Sequence, residues 1–145
     1  MKNTAMLWTG GKDSSLALFE AGRSGYDVRC LVTFAPPAPD FLAHPLAFIK
    51  LQAEALGLPH RVLPVREPFE AGYEAHLHDL RNEGVEVVVT GDIAEVNGSP
   101  NWIRERSRPV GMEVHTPLWG RDRQTLLEQL LSHRFTVRFS CVKKR

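Results

Sequence analysis

Cysteine is scarce in this sequence. Cys30 and Cys141 are the only two, they stand far apart in apolar surroundings, and they allow neither a disulfide framework nor the close spacing of a zinc site. That usage predicts a reducing, cytoplasmic setting. An excess of one charge is missing too: 18 basic residues against 17 acidic ones leave a formal +1, which argues neither for nucleic acid nor for an anionic membrane as partner. No apolar run approaches the length of a membrane span, no signal peptide opens the chain, and there is no internal repeat or low-complexity tract. What remains is 145 residues, 43% of them hydrophobic, enough for one real core and too few for two. A single domain over 1–145 is expected.

Two familiar phosphate-binding patterns are absent as well. A Walker loop needs a glycine five residues before its Gly-Lys pair and a Ser or Thr after the lysine, where Met6 and Asp13 stand. The dinucleotide fingerprint needs glycines spaced GxGxxG, whereas Gly10 and Gly11 are adjacent and Lys12, Asp13 and Ser14 follow. The stretch that is present, KNTAMLWTGGKDSSLAL from Lys2 to Leu18, reads as a short apolar strand, a glycine turn and then a helix at once. Asp13, Ser14 and Ser15 favour a helix start, and Leu16, Ala17, Leu18 and Phe19 supply the face that seats it on a sheet. The unpaired N–H groups of its first turn, with the helix dipole, make an anion cradle. Lys12 adds charge, Ser14 and Ser15 add hydroxyls, and Asp13 offers a carboxylate for magnesium bridging phosphate oxygens.

Farther along, strands and helices alternate. A second strand is expected over Val28–Phe34, a proline-rich loop over Ala35–Asp40, a helix over Pro45–Leu56, a strand over His60–Val65 and a helix over Phe69–Arg81. Val85–Thr90 reads as the most plainly buried strand, with Gly91 and Asp92 at its end. Beyond a polar loop come a short basic helix over Trp102–Arg108, a brief strand over Val114–Pro117, a helix over Asp122–Ser132 and a last strand over Phe135–Val142. Such alternation predicts an α/β fold: an open, mainly parallel sheet of five to six strands with helices on both faces. Ligands bind such sheets beyond the carboxyl ends of the strands, where Thr9–Ser15 and Thr90–Asp92 both fall.

TGGKDSS resembles the SGGxDS PP-loop of the ATP pyrophosphatases, with Thr9 in place of the first serine. More broadly, LWTGGKDSSLAL, LVTFAP, a histidine before LQAEALGLP, VVVTGDI and PLWG, in that order, resemble the diphthine–ammonia ligase family and its bacterial relatives. The resemblance implies an adenine nucleotide α-hydrolase-like fold that binds ATP and Mg2+, forms an adenylate with release of pyrophosphate, and passes it to ammonia. It implies catalytic roles for Lys12, Asp13, His44 and Asp92. Nucleotide contacts would come from Thr9, Gly10, Gly11, Lys12, Asp13, Ser14, Ser15, Thr33, Thr90 and Gly91, and metal contacts from Asp13 and Asp92. Pro117, Leu118 and Trp119 match a third family motif. The family's later Gly-Glu-rich motif has no counterpart here, so the acceptor is left open, as is a homo-oligomer covering that side of the cleft.

Other residues have plainer readings. His76 and His78, two apart on a helix, diverge and read as solvated, and Cys141 reads as a core thiol. Trp119 suits a stacking surface or a core position equally, and Arg104, Arg106 and Arg108 read as a solvated face. The leading functional expectation is an AMP-forming, ATP-dependent ligase. A nucleotide-binding module that does not consume ATP is the alternative, and tRNA thiolation through Cys30 or Cys141 ranks third.

Overall fold

The computed structural model describes residues 1–37, 44–96, 98 and 100–138. Among these run five strands: β1 (Asn3–Leu7), β2 (Asp27–Ala35), β3 (His60–Pro64), β4 (Val87–Val89) and β5 (Glu113–His115). They alternate with α1 (Lys12–Arg23), α2 (Leu46–Leu56), α3 (Phe69–Asn82), α4 (Trp102–Ser107) and α5 (Arg123–Ser132), and a 3-10 turn at Arg108–Val110 follows α4. The sheet order is β3-β2-β1-β4-β5, and every neighbouring pair is parallel. The α/β, parallel expectation therefore holds, with β1 in the centre.

Strand periodicity decides which face each side chain serves. From β1, Met6 and Trp8 pack on one face with Leu16, Ala17 and Ala21 of α1, Ile49 and Ala53 of α2, and Leu126 and Leu130 of α5. Ala5 and Leu7 pack on the other with Leu77 and Leu80 of α3 and Ile103 of α4. Central strands sealed on both sides must be apolar throughout, which is why β4 reads as three successive valines, all fully buried. Right-handed crossovers account for the division of helices. The chain steps one way from β1 to β3, laying α1 and α2 on one face, then returns past β1 to β4 and β5, laying α3 and α4 on the other.

Some details differ from the sequence reading. β4 covers only Val87–Val89 of the expected 85–90, although the Thr90 amide still donates to the His115 carbonyl at 3.1 Å. Helix α1 is capped by Gly11 with no side-chain hydrogen bond, so Asp13, Ser14 and Ser15 sit inside its first turn. Phe135–Arg138 is not strand; the rest of the expected last strand, with Cys141, lies outside the described residues, as do Pro39 and Phe41–Ala43. Among the described residues no helix is long and apolar enough to cross a membrane.

Candidate functional site

β1 has β2 on one side and β4 on the other, so the connections leaving its carboxyl end and that of β4 diverge and open a cleft. A cavity of about 710 Å³ lies there. Eight residues expected at the site line it: Thr9, Asp13, Ser14, Thr33, His44, Thr90, Gly91 and Asp92. The glycine turn joins Thr9 to Asp13 and Ser14, which line it from either end of that turn. Gly10 has φ +83°, a left-handed conformation that L side chains rarely adopt, and lets the strand reverse straight into α1. Ser14 is buried, its hydroxyl 2.8 Å from Thr9 Oγ1, which ties the start of the helix to the end of the strand.

Gly91 shows how closely the two arms approach. A Cβ there would lie 2.9 Å from the Asp13 carbonyl carbon and 2.9 Å from the Ser14 nitrogen, so only glycine lets the β4 loop rest on the first turn of α1. Beside it, Asp92 Oδ2 accepts from Thr90 Oγ1 at 2.8 Å and from Asn101 Nδ2 at 2.7 Å. Both bonds fall on one oxygen and leave Oδ1 for another partner. His44 closes the opposite wall. Its Nε2 is 3.3 Å from where a Cβ on Gly11 would be, and its buried Nδ1 has no partner among the described residues. A buried imidazole nitrogen without a partner is a group set aside for a ligand or costly to keep.

Residues 1–114 match the model of the diphthamide synthase N-terminal domain. The chain belongs to that family. It is thereby a member of the PP-loop superfamily, an ATP-using group. No curated protein matches the chain. Among solved structures it is similar to a protein described as the predicted subunit of tRNA methyltransferase from Methanocaldococcus jannaschii. The identity is 19%, the match covers 91% of this chain and 76% of that one, and the TM-score is 0.63. A protein from Pyrococcus horikoshii is similar at 16% identity, over 90% of this chain and 41% of that one, with a TM-score of 0.55. At those identities the likeness is one of fold.

Not every family-motif residue faces the cavity. Lys12 pairs with Asp13 Oδ1 at 3.0 Å and lines a separate cavity of about 110 Å³ with Ile93, Arg123 and Leu126. That exposed pair is worth about 0–1 kcal/mol, so little holds the ammonium there. Ser15 donates back to the Gly11 carbonyl at 3.0 Å, and the Thr33 hydroxyl donates to the Trp8 carbonyl at 2.7 Å while accepting from His60 Nε2 at 2.8 Å. The Ser15 hydroxyl is thus turned back on its own helix, while that of Thr33, a residue on the cavity wall, ties β2 to its two neighbouring strands. Trp119 and Arg104 lie off the cavity, Arg104 donating to Thr116 Oγ1 at 3.0 Å. His76 is 2.6 Å from the Pro64 carbonyl and His78 3.3 Å from Asn82, so the two histidines do go separate ways.

Two amides that the sequence reading missed hold the two arms. Gln52 of α2 accepts from the Trp8 indole at 3.1 Å and donates to the Gly10 carbonyl at 3.0 Å. Asn101 caps α4, accepting from the Arg104 amide at 2.9 Å, while its Nδ2 holds Asp92. Asn101 stands just before Trp102 and Ile103, a helix-start signal that was readable; Gln52 carries no local signal beyond a polar residue beside Ala53 on an apolar stripe. Among the described residues no three His, Cys, Asp or Glu side chains gather as a metal cage. Asp13 and Asp92 on one cavity instead fit magnesium, which takes one or two carboxylates and completes its shell with water and substrate phosphates.

Proposed function

We propose that the chain, acting as one nucleotide-binding domain, binds magnesium ATP in this cavity and splits it between the α and β phosphates to adenylate an acceptor carboxylate, which ammonia then converts to an amide. The observation that carries the reading is convergence: Thr9, Asp13 and Ser14 from the β1 turn meet Thr90, Gly91 and Asp92 from the end of β4 on one cavity. The acceptor oxygen bonds to the α-phosphorus as the bond to the α,β-bridging oxygen breaks, and that electron pair leaves on pyrophosphate. Ammonia next attacks the acyl carbon, AMP departs with the acyl-bound oxygen, and solvent takes the surplus proton.

In this reading the first-turn amides of α1 and the Ser14 hydroxyl receive phosphate oxygens. His44 donates toward charge growing at the α-phosphate, and Asp13 and Asp92 hold magnesium. The metal, when bound, neutralises charge on the departing pyrophosphate. Sulfur transfer to tRNA draws no support from Cys30, which lies half-buried on β2 away from the cavity with its thiol pKa raised by burial.

Calorimetry with magnesium ATP and an assay for pyrophosphate release test the reading. Asp13→Ala is expected to weaken binding about tenfold or more, the scale of a lost charge-assisted contact. His78→Ala, on the exposed side of α3, is expected to change nothing. Equal behaviour of the two variants overturns the site assignment, and binding with no pyrophosphate under any acceptor supports a non-consuming nucleotide module instead.

A further inference from the structure

The cavity has two unlike ends. Around Thr9, Asp13, Ser14 and Asp92 it is polar, whereas its other wall is Phe34, Tyr73 and Trp102. Phe34 stacks on Tyr73 with ring centroids 4.3 Å apart and planes at 26°, and Tyr73 meets Trp102 edge to face at 5.6 Å and 84°. Trp102 stays 39% exposed, which leaves ring surface on the cavity for a ligand to cover. It is also braced from behind. The Arg106 guanidinium lies 4.9 Å from its centroid and is held by Glu70 at 3.2 Å and Glu74 at 3.1 Å. Ion pairs, a cation over a ring and two aromatic contacts fix a wall that forms no part of the phosphate cradle.

The geometry points to this wall as the acceptor subsite, built to hold a planar aromatic ring attached to the carboxylate that is adenylated. The inference rests on the proposed ATP-splitting reading and adds to it the substrate class. Displacement at phosphorus runs in line, with attacking and departing oxygens on opposite sides. The departing pyrophosphate belongs at the first turn of α1, which packs on the sheet face shared with α2 and α5. The attacking carboxylate needs a seat away from that turn, and the cavity wall that offers one is where α3 and α4 present Tyr73 and Trp102 and β2 presents Phe34. A ring seated there replaces water on three aromatic surfaces already in place, so little ordering is needed on binding.

The test uses the whole chain saturated with magnesium and α,β-methylene ATP, which cannot be cut at the reacting bond. 3-Phenylpropionate and propionate are titrated in turn, and binding is read by saturation-transfer NMR. The aromatic acid is expected to bind about tenfold more tightly, equivalent to about 1.4 kcal/mol of stacking. Trp102→Leu and Tyr73→Leu are each expected to erase that preference while leaving the affinity for the nucleotide within about twofold, and Trp102→Phe to keep most of it. No preference in a protein that binds the nucleotide overturns the acceptor subsite alone. Loss of nucleotide affinity in the two Leu variants, with the acids unaffected, assigns the wall to the adenine ring and also overturns it. A protein that binds no nucleotide removes the proposed function and this inference together.

Discussion

Each arm of the site leaves a buried strand through a glycine and an aspartate, yet the two are held by different physics. After β1, Gly10 is needed for its own backbone, at φ +83°; a Cβ there would also stand 2.8 Å from Gln52 Oε1, the end of the flexible side chain that clamps the turn from α2. After β4, Gly91 lies outside the left-handed region and is needed because the other arm's backbone stands 2.9 Å from where its Cβ would be. One arm is a local conformation. The other exists only against its partner, so the phosphate cradle and the Asp92 loop form a single unit whose halves come from distant parts of the chain.

The strongest way to break that comparison is Gly91→Ala. The clash is with backbone of α1, which cannot swing aside as a side chain can, so the β4 loop must lift off. A stability loss of about 1–3 kcal/mol in urea unfolding is expected from the overpacking. Misplacing Asp92 by about 1 Å predicts a further loss of about 100-fold in pyrophosphate release. Gly11→Ala is the control. Its Cβ would meet only the His44 imidazole, at 3.3 Å, and the ring can give. A larger stability loss for Gly11→Ala than for Gly91→Ala would reverse the assignment of the fixed and the yielding partner.

The amides sharpen the comparison at a smaller scale. Gln52→Leu removes two hydrogen bonds and strands the indole N–H of Trp8, a residue 97% buried by its 3% exposure, for about 1–3 kcal/mol. Asn101→Ala removes a helix cap, for about 1 kcal/mol, and leaves Asp92 held by Thr90 alone. Asn101→Ala is expected to raise the magnesium concentration needed for half-maximal nucleotide binding, and Gln52→Leu to leave it unchanged. A shift in Gln52→Leu alone would place the metal on Asp13 without Asp92.

These residues also mark how far the sequence could be read. The Gly10–Ser15 turn was legible because its chemistry is contiguous: a strand, two glycines and a helix start within one short stretch. The parallel sheet was legible because strands buried on both faces must read as Val88 and its neighbours do. The clamp from Gln52 and the hold of Asn101 on Asp92 were not, although the Asn101 helix cap was, since each acts across the fold on a residue whose position only the topology sets. Thr33 carries a contact of the same kind. The residue lines the cavity, and its hydroxyl is held from both neighbouring strands, by the Trp8 carbonyl after β1 and by His60 of β3, which the sequence alone does not place beside it.

That Thr33–His60 contact gives the smallest expected effect, and its sign follows from burial. Burial first, and Lys50 second, lower the His60 pKa from the usual 6.5, and burial lowers that of His115, which stacks on Tyr26 at 4.6 Å. Near neutral pH neither state of the chain takes up the proton, and the stabilisation is fully present. As pH falls below 6.5 the unfolded chain binds protons that the folded one still refuses, so stability declines until the folded pKa is passed. Urea midpoints are expected to drop between pH 7 and pH 5 in the native chain and to drop less in His60→Gln, whose amide still donates to Thr33 Oγ1 and does not titrate. Since Thr33 also bonds the Trp8 carbonyl at the end of β1, protonation of His60 is expected to loosen the Gln52-clamped arm before the arm held by Asn101. Amide exchange at Trp8 and Thr9 rising ahead of that at Thr90 and Asp92 checks this, and the reverse order would mean that the β4 arm is the weaker.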